Sequence, residues 1–258
     1  MTTDNLELYK AYRPKLLKDV IGNGAAKSTI LGLIKGKKLP HFVLMTGPSG
    51  TGKTTLARII ANGLQCQGQD YVEMNAASRN GVDMVRDLQT RQGLAPLGSP
   101  CRVVVVDECH QLTKQAQEAF LKTLEDTPRH VYYIFCTTTP GKLLNTIKTR
   151  ATEIKCEPLA YKDMVGLVKA TAAKEGVQDL DADVAEKIVE TADGSPRKAL
   201  VLLGQALAHT DVGRQLAAVQ PPDVEVAAVG IAQDLMKGRG WAPMGPKLQP
   251  LAPAPEAL

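Results

Sequence analysis

Aromatic side chains are scarce in this chain, at 4% of 258 residues with a single tryptophan. None lies between Arg79 and Arg86 or beside Lys114, so the basic residues there have no stacking platform for reading single-stranded bases. The five cysteines (Cys66, Cys101, Cys109, Cys136, Cys156) are scattered, without a C-x-x-C pair. That excludes a zinc ribbon or a disulfide framework and suits reduced thiols in a cytoplasmic chain. No apolar run approaches the length of a membrane span, and the polar start Met1-Thr2-Thr3-Asp4 does not read as a signal peptide. Charge of one sign is also missing. A net charge of +4 leaves any nucleic-acid affinity to local clusters. A hydrophobic content of 44% and this length suit a large soluble domain with a small second one.

What is present is a complete G-x-x-x-x-G-K-[ST] phosphate loop: Gly47-Pro48-Ser49-Gly50-Thr51-Gly52-Lys53-Thr54-Thr55. It follows the apolar run Phe42–Met45, a strand candidate, and leads into Leu56–Ala61, a helix candidate. The glycines let backbone N–H groups turn inward around a triphosphate, and the helix adds its positive end. Lys53 is expected to reach the β/γ-phosphates and Thr54 to hold Mg²⁺. The spelling therefore implies a nucleoside triphosphate and Mg²⁺ as ligands, and the resemblance given below makes the nucleotide ATP.

A second motif adds hydrolysis. Val103-Val104-Val105-Val106 ends in Asp107-Glu108, a buried parallel strand with two carboxylates where an open α/β sheet collects ligands. Asp107 suits the metal, as a Walker B aspartate does, and Glu108 suits a general base toward water.

Strand candidates at 42–46, 70–74, 102–106, 131–136 and 153–156 alternate with helical patterns at 25–35, 54–64, 81–91, 114–125 and 142–148. That alternation predicts a parallel sheet covered on both faces. After Pro158 only helical spacing remains, at 161–175, 182–192 and 196–208. We therefore expect an α/β nucleotide-binding domain over 1–158 and a helical lid over 159–210. Residues 211–258 read as a linker, one amphipathic helix through Val224, Ala228, Ile231 and Leu235, and a tail. Seven of the sixteen prolines lie past residue 220.

The ordered landmarks Tyr12-Arg13-Pro14, Asp19–Gly22, Asn75–Arg79, Asp107–His110, Leu121–Glu125, Cys136–Pro140 and Gly194–Arg197 closely resemble the AAA+ ATPase subunits of DNA polymerase sliding-clamp loaders. The bacterial gamma/tau subunit is the nearest pattern, followed by the small subunits of replication factor C. The resemblance covers about residues 9–210. It implies an adenine cradle from Tyr12, Arg13, Pro14, Val20 and Ile21. It also implies a sensor at Thr138 within Thr137-Thr138-Thr139, and a lid cation at Arg197 that contacts the phosphates. Arg150, in Thr149-Arg150-Ala151 where the family has Ser-Arg-Cys, becomes a finger that works in a neighbouring subunit's site. Such a finger needs a head-to-tail assembly.

The same resemblance makes Arg79, Arg86 and Lys114 sequence-independent contacts to the DNA backbone. Taken alone, they are solvated helix cations. The implied partners are a sliding clamp, primer–template DNA and further loader subunits, with a pentamer as the family's assembly. Two departures stand out. The four-cysteine zinc module of gamma/tau is missing, because Cys66 stands alone there. About 37 residues follow Pro221 where the family has a helical collar domain. Loading a clamp is the expected function. A branch-migration motor or a non-hydrolysing structural loader subunit are the alternatives.

Overall fold

Strands β1 (Phe42–Thr46), β3 (Arg102–Asp107) and β4 (Val131–Thr137) are buried along nearly their whole length, which is why they read as unbroken apolar runs. The computed structural model describes residues 7–78, 80–219 and Met236. Among these, β2 (Tyr71–Asn75) and β5 (Thr152–Lys155) complete one five-stranded sheet in the order β2-β3-β4-β1-β5. Every neighbouring pair is parallel. Thr46 pairs with Thr137, and Asn75 with Asp107, so the carboxyl ends of the strands share one edge. The phosphate loop, Asp107-Glu108 and the threonines after β4 all begin there.

Alternate residues of each strand feed opposite faces, as the pleat requires. Val43, Met45, Val103, Val105 and Ile134 pack with Ile30 of α2 (Gly24–Lys35) and with Leu56 and Ile60 of α3 (Lys53–Gly63). Phe42, Leu44, Val104, Val106, Tyr133 and Phe135 pack against α4 (Val82–Gln92), α5 (Lys114–Glu125) and α6 (Asn145–Lys148). Phe120 of α5 sits edge-on to Tyr133 and Phe135, with centroids at 6.1 and 5.0 Å. The chain is an α/β protein whose parallel sheet is covered by helices on both faces.

A third apolar cluster is purely helical: α7 (Tyr161–Lys174), α8 (Ala182–Ala192) and α9 (Pro196–Leu207). Asp181 and Ser195 cap α8 and α9 by accepting from backbone N–H groups of their first turns. Two segments join this cluster from outside the 159–210 range. Leu8 of α1 (Leu8–Ala11) is buried in it. A further helix, α10 (Val212–Ala218), is capped by Asp211 and ends at the fully buried Val219. The segment after 210 is thus helical at its start, where a linker was expected. The helix expected through Val224 to Leu235 and the tail from Trp241 lie outside the described residues.

Two boundaries moved for identifiable reasons. The helix expected over 142–148 is broken: a 3₁₀ turn at Pro140–Lys142 is followed by extended Leu143 and only then by α6. Gln117 fixes the break by accepting the Leu144 N–H at 2.9 Å. β2 begins at Tyr71 because Asp70 has another task. Its buried carboxylate accepts the N–H groups of Leu97, Gly98 and Ser99, each at 3.0 Å, and faces the buried Arg102 guanidinium at 3.5 Å. Burial pushes this carboxyl up, but the three N–H groups and Arg102 outweigh burial and hold it below the usual carboxylate range.

Candidate nucleotide site

Above the carboxyl edge of the sheet lies a cavity of about 450 Å³. Its floor is the phosphate loop from Ser49 to Leu56 with Asp107 and Glu108. One wall is the N-terminal segment, with Tyr9, Tyr12, Arg13, Pro14, Val20 and Ile21, and the other is the helical cluster, with Leu167, Thr171, Lys174 and Arg197. The five residues expected to cradle adenine therefore line the same space as the phosphate loop.

The loop takes this shape because two glycines meet foreign backbone and side chain at close range. Gly47 has φ +146°, and a Cβ there would sit 2.0 Å from the Cys156 carbonyl oxygen. Gly50 has φ +76°, and a Cβ would sit 2.1 Å from Ser195 Oγ, the residue that caps α9. Only glycine accepts both the backbone angle and the approach. The second contact ties the phosphate loop directly to the helix that carries Arg197.

Lys53 is nearly fully buried, and its ammonium donates to the Gly47 and Pro48 carbonyl oxygens at 2.9 and 2.8 Å. Thr54 Oγ1 donates to Asp107 Oδ2 at 2.8 Å. A hydroxyl and a carboxylate in hydrogen-bond contact are hard oxygen donors of the kind Mg²⁺ takes together with water and phosphate. The residues present therefore fit both the nucleotide and its metal. Bound there, Mg²⁺ would neutralise phosphate charge.

Glu108 lines the cavity in a left-handed backbone conformation, φ +50°. For a non-glycine residue this costs on the order of 1–3 kcal/mol, which the surroundings must offset. Its N–H donates to Asp107 Oδ1 at 3.0 Å, and its carbonyl accepts the Gln111 N–H at 2.8 Å. On the side chain, Oε2 lies 3.3 Å from His110 Nδ1.

On the rim, Tyr12 donates its hydroxyl to Glu175 at 2.6 Å, and the Lys174 ammonium sits 5.5 Å from the Tyr12 ring centroid. The hydrogen bond to Glu175, then burial, raises the Tyr12 hydroxyl above its ordinary value. Arg197 lies 5.9 Å from the Tyr9 ring centroid. Burial, and then repulsion from Arg58, pulls the Arg13 guanidinium down, although Glu73 works in the other direction. Arg58 is held in a two-pronged ion pair with Glu73 at 2.7 and 2.6 Å.

Some expected residues stand apart. Thr138 does not line the cavity, and the strand-end hydroxyl in the hydrogen-bond network is Thr137. Thr137 is fully buried, accepts the Thr139 N–H at 3.0 Å and lies 3.0 Å from His110 Nδ1. Arg150 lies outside the cavity, donating to Glu125 at 2.5 Å and to the Thr146 carbonyl at 3.0 Å. Arg86 is exposed and reaches back to Asp83 at 3.1 Å. Lys114 is the exposed first residue of α5, whose cap Thr113 donates its N–H to the Asn80 carbonyl just before α4. Arg79 lies outside the described residues. Tyr9 and the α7 residues Leu167, Thr171 and Lys174 escaped the sequence reading. They carry no motif, and only the fold of the helical cluster brings them over the phosphate loop.

Comparison with known proteins agrees with this geometry. A family profile described as DNA polymerase III, delta subunit, matches residues 70–160, and one described as Sigma-54 interaction domain matches residues 21–88. The DNA polymerase III subunit tau of Bacillus subtilis is 33% identical over 224 residues, 79% of this chain. The gamma/tau subunit of Mycobacterium tuberculosis is 35% identical over 226 residues, also 79% of the chain. Over most of its length the chain is homologous to DNA polymerase III gamma/tau subunits. It spans about 40% of the length of these two relatives and 61% of the gamma subunit of Buchnera aphidicola, which is 31% identical over 221 residues.

Among solved structures, the Thermotoga maritima RuvB Holliday junction branch migration motor superposes with a TM-score of 0.70 at 21% identity. That match covers 92% of this gamma/tau homologue and 90% of the RuvB chain, and it shows the shared fold. Among the described residues no helix is long and apolar enough to cross a membrane, and no group of three or more His, Cys, Asp or Glu is placed to hold a metal ion.

Proposed function

We propose that this gamma/tau homologue is an ATP-hydrolysing subunit of a sliding-clamp loader. With ATP bound it grips a clamp and primer–template DNA, and hydrolysis releases both. One observation carries the reading. Lys53, Thr54, Asp107, Glu108 and Arg197 line one cavity, between the carboxyl edge of the sheet and the helical cluster.

In this reading the phosphate loop and Lys53 hold the triphosphate, and Thr54 and Asp107 take Mg²⁺. Glu108 accepts the proton of the water that attacks the γ-phosphorus. Arg197 contacts the phosphates from α9. Because Gly50 touches Ser195 at the start of α9, a filled phosphate loop also sets the angle of the helical cluster, which is how the nucleotide state becomes a change of shape. Arg150 acts across a subunit interface. It must first leave Glu125, but both side chains are about half exposed, and such a pair is worth roughly 0–1 kcal/mol. Arg79, Arg86 and Lys114 face the phosphate backbone of DNA. The partners are the clamp, the DNA and further loader subunits.

The test is steady-state ATP hydrolysis by the chain with its partner subunits, with and without primed DNA and clamp. Turnover is expected to rise with DNA and to rise again with clamp. Glu108→Gln is expected to bind ATP normally and to lose roughly 10²–10⁴ in rate. Near-normal turnover in that variant would remove Glu108 from the chemistry. A rate indifferent to both DNA and clamp would remove the loader reading.

A further inference from the structure

The side chain that faces Glu108 from outside the cavity is His110. Its imidazole is almost wholly buried, with 8% of the side chain exposed, while Glu108 is 32% exposed toward the cavity. His110 Nδ1 lies 3.3 Å from Glu108 Oε2 and 3.0 Å from Thr137 Oγ1. A carboxylate only accepts, so the contact is favourable when Nδ1 carries the ring proton. The other ring nitrogen agrees: Gln111 Nε2, an amide donor, lies 3.2 Å from His110 Nε2, which therefore accepts. The Nδ1–H is then directed at Thr137 Oγ1, and Glu108 Oε2 lies beside it at ion-pair distance. Thr137 is itself fixed by the Thr139 N–H at the end of β4.

We propose that His110 is a positioning residue for hydrolysis. It holds Oε2 of Glu108 from behind and anchors it to the end of β4, leaving the other carboxylate oxygen turned into the cavity toward water. The backbone makes such an anchor necessary. Glu108 sits at φ +50°, a conformation its own side chain does nothing to stabilise, and the turn after it is a short 3₁₀ segment, Cys109–Gln111. With no second hold, the carboxylate would sample several rotamers, and a base that is only sometimes aligned catalyses only some of the time. The link also runs in the other direction. A shift of the β4 end that moves Thr137 would turn Glu108, so a single ring couples two strand ends of the sheet. This inference rests on the reading of Glu108 as the base.

The experiment is kinetic and spectroscopic on the full chain with its partner subunits. His110→Ala is expected to lower kcat on the order of tenfold to a hundredfold, less than loss of the base itself. ATP affinity, measured by equilibrium titration, should stay at the parent value. His110→Asn is expected to recover most of the rate, because its Nδ2 can donate from close to the place of Nδ1. In a Glu108→Gln background, His110→Ala should cost little more. Imidazole ¹⁵N shifts of the parent protein should show the proton on Nδ1. Parent-level kcat in His110→Ala, a loss of equal size in the Glu108→Gln background, or a ring protonated on Nε2 would each overturn the proposal. If His110→Ala is slow while Glu108→Gln is not, the base assignment has failed and the positioning role goes with it. If only Glu108→Gln is slow, the base stands and the positioning role alone is lost.

Discussion

Replacing Gly50 by alanine tests the junction between the phosphate loop and the helical cluster. The substitution carries two costs. At φ +76° a Cβ brings left-handed strain of roughly 1–2 kcal/mol. The new methyl also lands 2.1 Å from Ser195 Oγ, so that hydroxyl must rotate away. In doing so it gives up the Lys198 N–H it accepts at 3.3 Å, the cap of α9, worth about 1 kcal/mol. Gly50→Ala is therefore expected to cost about 2–3 kcal/mol, and Ser195→Ala about 1 kcal/mol.

The double variant discriminates. With the hydroxyl already gone, the methyl faces the Ser195 Cβ position at 3.3 Å, a tight but tolerable contact. The cap is lost once rather than twice, so the double variant should also cost about 2–3 kcal/mol, some 1 kcal/mol less than the sum of the singles. At roughly 2–4 °C per kcal/mol for a chain of this size, Gly50→Ala lowers Tm by roughly 4–12 °C. Urea titration measures all three variants, and fluorescent-nucleotide titration should show weaker binding in Gly50→Ala. Costs that add to within about 0.5 kcal/mol would refute the contact between loop and cap.

Asp70→Asn removes a carboxylate whose affinity for protons is lowered by folding. Such a group adds stability above its unfolded value of about 3.9, and this is lost as pH falls through the lower folded value. The variant should show a smaller urea midpoint at neutral pH and a flatter acid limb. An acid limb as steep as the parent's would refute the assignment. The thiols are buried, and burial pushes Cys101 and Cys156 up to about 11, so alkylation of the native chain at pH 8 should be far slower than in urea; equal rates would show that the sites open. Arg86→Ala with Lys114→Ala should leave basal ATP hydrolysis intact and flatten the log–log salt dependence of DNA binding by up to about two units. An unchanged slope returns both to the solvent. Mixing Arg150→Ala with Lys53→Ala chains should restore activity that neither has alone, because fingers are worth roughly 10³–10⁵ in rate. Parent-level hydrolysis by Arg150→Ala would leave that residue a helix-end cation.

The sequence by itself determined the sheet, most of its flanking helices and the residues that line the floor of the site. Those features rest on local signals: valine runs that suit buried strands, a glycine spacing that matches a phosphate loop, and carboxylates at a strand end. Tertiary structure alone decided the rest. The helix after residue 210 is held by burial of Val219, and the break before α6 is held by Gln117, 27 residues away. Asp70 falls inside the strand pattern at 70–74, yet it closes a loop 27 to 29 positions further on. The lid wall of the cavity, Lys174 over Tyr12, joins the N-terminal segment to the end of α7. His110 looks like any histidine in a turn until β4 brings Thr137 beside it. Contacts between distant positions leave no periodicity for a sequence reading to find. Packing alone sets where two side chains meet, and at this site it brings His110 within 3.3 Å of the Glu108 carboxylate.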